Sequence, residues 1–127
     1  MKIFEKRKIV LKNKTGRSVE LEVEIADNLF KQMLGLMFRN SLASNEGMLF
    51  IFRNESSRSF WMFNTKIPLD AIFFDSSGKI VEIIQMEPCN SFFCTQYYSK
   101  VKSTYVLEVN KGFCERNNIA KGTSLFI

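Results

Sequence analysis

Residues 59–70, Ser-Phe-Trp-Met-Phe-Asn-Thr-Lys-Ile-Pro-Leu-Asp, set the large apolar side chains of Phe60, Trp61, Met62 and Phe63 against the polar groups of Asn64, Thr65 and Asp70 in a Pro-containing turn. Polar groups beside an aromatic wall are the make-up of a ligand pocket. The same residues fit a plainer role, which the sequence alone favours. Asn64 and Asp70 would close the turn through side-chain to backbone hydrogen bonds while the aromatics fill the core. Asp70 and Glu108 are carboxylates in or beside apolar strand segments. Burial there would raise a carboxyl pKa and open general acid–base chemistry. Pairing with a cation is the alternative, and Arg39 is the candidate partner.

Other chemistries are closed off. The chain has no histidine, which removes Ser-His-Asp and Cys-His catalysis and the commonest metal ligand. Its six glycines stand singly, with neither G-x-G-x-x-G nor G-x-x-x-x-G-K-[ST], so a standard phosphate loop is excluded and no cofactor is implied. Three cysteines, Cys89, Cys94 and Cys114, fall one ligand short of a closed zinc site, and no metal is expected. Cys89 and Cys94 lie within one loop and could close a disulfide that pins it; a reduced, partly buried pair is the favoured reading. A redox role would need a thiol with a lowered pKa.

These residues need elements to position them. Val19, Leu21, Val23 and Ile25 alternate with Glu20, Glu22 and Glu24, the signature of a half-buried strand. Arg7–Lys12 reads as a partner strand, and Asn13-Lys14-Thr15-Gly16 supplies the hairpin turn. Asp27 is the expected N-cap of a short helix whose apolar stripe is Leu29, Met33, Leu36 and Met37, ending or bending at Gly35. Residues 40–47 read as a loop. Strands are expected at Met48–Phe52, Ser59–Phe63, Ala71–Asp75, Lys79–Gln85, Thr104–Val109 and Ser124–Ile127. Ser76-Ser77-Gly78 is a hairpin turn, Glu87–Lys100 an irregular loop and Cys114–Asn118 a helical turn. Several strands are apolar on both faces. The expected fold is therefore mainly β, a compact antiparallel β sandwich or barrel with one short helix in the N-terminal half.

A chain of 127 residues fits one domain spanning 1–127. Thirteen Phe furnish a core that needs no metal or disulfide. The net charge of +5 is mostly local: residues 1–25 hold seven Lys/Arg and four Glu. Lys8 and Lys12 are expected to face Glu20, Glu22 and Glu24 across the hairpin, which argues against a nucleic-acid surface. Lys2, Glu5, Lys6, Arg7 and Lys8 interrupt any secretory apolar stretch, and no run approaches the ~20 apolar residues of a membrane span. A cytoplasmic protein without a membrane partner is the resulting expectation.

Gly35-Leu36-Met37-Phe38-Arg39, Gly47-Met48-Leu49-Phe50, Phe60-Trp61-Met62, Asn64-Thr65, Ile67-Pro68-Leu69-Asp70 and Tyr105-Val106-Leu107-Glu108 with Gly112 together resemble domain-of-unknown-function family 192, from about Val19 to the C-terminus. Pro88-Cys89 with Cys94 and Tyr97 looks like the variant of archaeal members. The resemblance implies a compact, mainly antiparallel β domain with no established activity, of the unexported kind. A shared site would involve Arg39, Trp61, Asn64, Thr65, Asp70 and Glu108. The chain departs from the family's pattern at Gln32, Phe63 and Thr123, where charged residues are usual.

Three functions follow as expectations. The first is a domain binding a small polar ligand such as a saccharide in an aromatic-walled pocket. The second is an enzyme using Asp70 or Glu108 as acid or base, although no catalytic motif is recognisable. The third is a protein-interaction module acting through an exposed strand edge or apolar patch.

Overall fold

The computed structural model describes residues 3–127. Strands β1 (Glu5–Lys12) and β2 (Ser18–Ala26) form the expected antiparallel hairpin. Asn13 holds its turn by accepting the N–H groups of Thr15 and Arg17 on Oδ1. Leu21, Val23 and Ile25 point inward. Outside, Lys8 faces Glu22 as expected, but Lys12 faces Ser18. The register fixes both, because one turn sets every pair along the hairpin.

Helix α1 (Leu29–Leu34) is capped by Asn28, one residue after the expected Asp27, with its Oδ1 accepting Lys31 N–H at 2.9 Å. The apolar stripe is real, yet Leu29 and Met33 are 73% and 66% exposed, and no residue of α1 is buried. At Gly35 φ is +49°, and there the chain turns down so that Leu36 enters the core.

The remaining strands are β3 (Glu46–Ser56), β4 (Ser59–Trp61), β5 (Leu69–Phe74), β6 (Ile80–Met86), β7 (Gln96–Tyr98), β8 (Ser103–Asn110) and β9 (Ser124–Phe126), with helix α2 (Phe113–Arg116) before the last. Seven strands make one sheet in the order β6-β5-β8-β3-β2-β1-β9. All its neighbours are antiparallel except β2 and β3, which run parallel because α1 and its loop return the chain to the same end. The sheet curls into a half-barrel. Leu125 N–H of β9 reaches the Gly78 carbonyl at 2.8 Å, bringing the far edge of the sheet to the β5–β6 turn. Strands β4 and β7 form a separate two-stranded ribbon. The segment 59–63 is thus a strand only as far as Trp61, and the 87–100 stretch, too polar and short-patterned to read as a strand, supplies the ribbon's other half.

The sheet buries both faces at its centre, and all six residues of β5 are buried. Inside the curl, Ile9, Leu21, Val23, Leu49, Leu107 and Phe74 pack with Phe113 and Cys114 of α2. On the outer face, Met48, Phe50, Ala71, Phe73 and Val106 pack under Leu36, Met62 and Ile67, with Phe60 and Tyr97 of the ribbon against them. Alternation along β8 therefore sends Leu107 and Val109 inward and Val106 and Glu108 outward, beneath the ribbon and α1.

Candidate functional site

Glu108 is the one charged residue on that covered outer face of β8. It stands between Met48 of β3 and Ala71 of β5 and is only 5% exposed. Its carboxyl group makes no hydrogen bond or ion pair among the described residues. Burial alone pushes its pKa up, to about 8, because no nearby cation offsets the loss of hydration. The carboxyl lies in the lining of a pocket of about 350 Å³ between α1 and the β4–β7 ribbon. Phe50, Phe52, Phe60, Trp61 and Met62 supply the apolar walls, and Gln32, Ser59, Thr65 and Gln96 the neutral polar groups. Leu29 and Met33 of α1 form part of the same lining, which accounts for a stripe left unburied by the core.

Arg58 is the pocket's only cation among the described residues. Its guanidinium lies 3.8 Å over the Phe52 ring, a favourable cation–π contact. Nη2 donates to the Ser103 carbonyl at 2.9 Å and to Asn54. Nε is buried without a partner, and desolvation lowers the group's pKa. The Arg58 backbone is held to the far side of the ribbon, its N–H donating to Ser99 Oγ and its carbonyl accepting Ser99 N–H, both at 2.8 Å. Gln32 is fixed as well: Nε2 donates to the Ala26 and Ile51 carbonyls at 3.2 and 3.1 Å, which ties α1 to the sheet.

Of the six candidates, the pocket gathers Trp61, Thr65 and Glu108; Arg39, Asn64 and Asp70 lie elsewhere. Asp70 is on the inner face of β5, where Oδ2 accepts the N–H groups of Gly112 and Cys114 at 3.1 Å each, holding the start of α2. Asn64 adopts a left-handed φ of +56°, and its carbonyl accepts Phe38 N–H at 2.8 Å. It is a turn residue that joins two loops. Arg39 pairs with Glu24 through two hydrogen bonds of 2.6 and 3.1 Å; that contact raises its pKa, and neither Asp70 nor Glu108 is its partner. Thr65 is buried below the ribbon, its N–H donating to the Met62 carbonyl.

The cysteines divide in the same way. Cys89 and Cys94 are joined as a disulfide, so the reduced pair is not the state in this structure. Their loop carries Phe92 and Phe93, 87% and 95% exposed, with Phe92 stacked on Phe63 and Phe63 against Trp61. Burial pushes the Cys114 thiol well above its ordinary range, and the Asp70 carboxylate adds to the effect, which opposes thiolate chemistry. Among the described residues, no three His, Cys, Asp or Glu side chains are grouped to hold a metal, and no helix is long and apolar enough to cross a membrane.

Arg58 and Gln96 escape a reading of the sequence, which marks Gln32 only as a departure from the family's pattern. Arg58 sits in the polar run Asn54–Ser59, which looks like an ordinary turn. The available signal is compositional: residues 56–69 and 88–104, which contain the two ribbon strands, hold Arg58, Lys66, Lys100 and Lys102 and no Asp or Glu.

The sequence model of the DUF192 family, described as "Uncharacterized ACR", matches residues 10–127. A UPF0127 protein of Pyrococcus horikoshii is 29% identical over 112 residues, 84% of this chain and 88% of the relative. Another from Thermococcus sibiricus is 30% identical over 119 residues, 91% of this chain and 73% of the relative. Among solved structures, a Sinorhizobium meliloti protein provisionally described as a transcription regulator has a TM-score of 0.91 at 33% identity, covering 98% of this chain and 95% of that one. A Novosphingobium aromaticivorans protein of unknown function has a TM-score of 0.89 at 29% identity, covering 98% and 86%.

Proposed function

We propose, from the premise that this chain belongs to the DUF192 family of uncharacterised proteins, that it is a binding domain for a small polar ligand such as a saccharide, taken up in the Glu108 pocket. The observation that carries this reading is Glu108 itself. A buried carboxyl without a partner is costly to maintain, and this one lines a pocket whose other polar groups are amides, hydroxyls and one guanidinium. A sugar ring offers apolar faces to aromatic walls and hydroxyls to such groups. Near neutrality, a carboxyl titrating at about 8 is mostly protonated and can donate as well as accept.

Binding fits the lining better than hydrolysis. Glycoside cleavage ordinarily uses two carboxyl groups flanking one bond, and among the described residues Glu108 is the only acid lining this pocket. Asp70, the other candidate acid, is occupied on the opposite face of the sheet. Helix-in-groove recognition of DNA, one basis for the transcriptional control named for the Sinorhizobium protein, would need a longer exposed helix. Here α1 has six residues and α2 four, the latter with Phe113 and Cys114 buried.

The test is a thermal-shift and calorimetric screen of neutral and acidic monosaccharides against the native protein, Trp61→Ala and Glu108→Leu. A ligand that raises Tm in the native protein and binds at least tenfold more weakly to both folded variants supports the site. Ligands that bind all three equally, or a panel without a binder, would overturn it.

A protein-interaction role is a second reading, favoured by the neighbouring exposed rings of Phe92 and Phe93. Its test is the loss of a co-purifying partner in the double Ser variant, with saccharide binding retained.

A further inference from the structure

Charge around the pocket narrows the ligand further, on the basis of the binding role proposed above. Among the described residues only two ionisable side chains line the pocket, Arg58 and Glu108. Arg58 keeps donors to spare: its hydrogen bonds all run from Nη2, Nη1 makes none, and Nε is an orphan. The guanidinium plane is fixed by the Phe52 ring beneath it and the Ser103 carbonyl beside it, so Nη1, its remaining donor group, requires little ordering on binding. Lys66, Lys100 and Lys102 flank the ribbon strands in sequence, in segments that carry no acid. The chain's net charge is +5, and of these four cations Arg58 alone is in the described lining of the pocket.

We infer that the pocket selects an acidic saccharide, a sugar bearing a carboxylate, with Arg58 receiving the carboxylate while Trp61 and the phenylalanine walls meet the ring. Arg58 Nη1 can give the carboxylate a charge-assisted hydrogen bond from a plane already stacked on Phe52, an ordering that a flexible ammonium group lacks. Glu108 favours the same ligand class. In its protonated form it adds no repulsion and presents one O–H donor to a sugar oxygen. A neutral sugar would leave the Arg58 donors unmatched in a partly desolvated wall, and a cationic sugar would face that charge directly. Gln32 cannot supply that charge complement, because its amide is neutral.

The experiment is calorimetric titration of the native protein with D-galacturonate and with D-galactose, which differ in the carboxylate alone, at low and high salt. The uronate should bind at least tenfold tighter at low salt, and the ratio should shrink at high salt as screening weakens the ion pair. In Arg58→Gln the ratio should fall towards one. Arg58→Lys, which keeps the charge and loses the planar group stacked on Phe52, should retain only part of the preference; chemical shifts report whether each variant is folded. Galactose binding as tightly as galacturonate would overturn the charge assignment and leave the pocket's binding role intact. If neither sugar, nor any other on the panel, binds, the binding role itself is overturned. A uronate preference that survives unchanged in a folded Arg58→Gln would remove Arg58 from the site.

Discussion

Asp70 and Glu108 sit on adjacent strands one register step apart, with Ala71 opposite Glu108 and Asp70 opposite Val109, and therefore face opposite sides of the sheet. That single step separates their work. Asp70 looks into the half-barrel and holds the start of α2, whereas Glu108 looks out beneath the ribbon. They cannot act as an acid–base pair.

Removing Asp70 should accordingly be a structural lesion. Asp70→Ala takes the carboxyl acceptor from two backbone N–H groups, Gly112 and Cys114, and leaves the first part-buried and the second buried. Hydrogen bonds to charged groups are worth ~1.5–3 kcal/mol each, so a loss of about 3 kcal/mol is expected in urea denaturation. Sugar affinity of the folded fraction should not change. A variant of native stability that binds less ligand would reverse the assignment.

The cysteines predict a labelling pattern. Cys114 is buried and its thiol pKa is raised by desolvation and by Asp70, so the native protein should resist alkylation. Reductant should expose two alkylatable thiols, at Cys89 and Cys94, and denaturant a third. Mass spectrometry of the intact chain counts them; rapid native labelling of Cys114 would show that its burial is wrongly assigned.

Closure of the half-barrel should depend on Gly78. Its φ is +83°, and a Cβ there would stand 2.8 Å from the Leu125 carbonyl oxygen, in the turn where Leu125 N–H meets the Gly78 carbonyl. Gly78→Ala combines a left-handed backbone with a clash against β9. A cost of about 2 kcal/mol is expected, with faster amide exchange at Leu125. Unchanged protection at Leu125 would mean that the turn does not hold the edge.

What the sequence disclosed, and what it withheld, follow from range. The alternation at Val19–Ile25 and the doubly apolar runs around Ile72 are local patterns, and they located most strands within a few residues. The parallel pairing of β2 and β3 and the separate ribbon depend on how distant segments meet, which period and propensity do not encode. Helical spacing marked the α1 stripe, but spacing does not tell a core from a pocket mouth, and Leu29 and Met33 line the latter. Trp61, Thr65 and Glu108 were legible as residue types out of place in their surroundings. Asn64 and Asp70 have the same appearance, and their partners turn out to be backbone groups of distant segments, Phe38 and the start of α2. Arg58 was illegible because an arginine in a polar turn is the commonest of sights.

Glu108 makes the strongest demand on solution behaviour. Its pKa rises from 4.5 to about 8 on folding, so below pH 4.5 both states hold the proton and the residue costs little. Between the two values the folded chain keeps the proton and the unfolded chain releases it, and stability must fall as pH rises through that window. Above pH 8 the penalty is constant. At pH 7 it is on the order of 3 kcal/mol, taking about 1.4 kcal/mol per pH unit. Glu108→Gln, which preserves shape and removes the titration, should be more stable than the native protein at pH 7 and nearly equal to it at pH 4. The native-minus-variant difference in denaturation free energy, measured across that range, isolates this one group from other carboxylates. A flat difference would show that the carboxyl is hydrated or paired in solution. The same titration bears on ligand charge: once Glu108 ionises it opposes the carboxylate that Arg58 attracts, so galacturonate affinity should decline as pH rises through 8, while that of a neutral sugar should change much less.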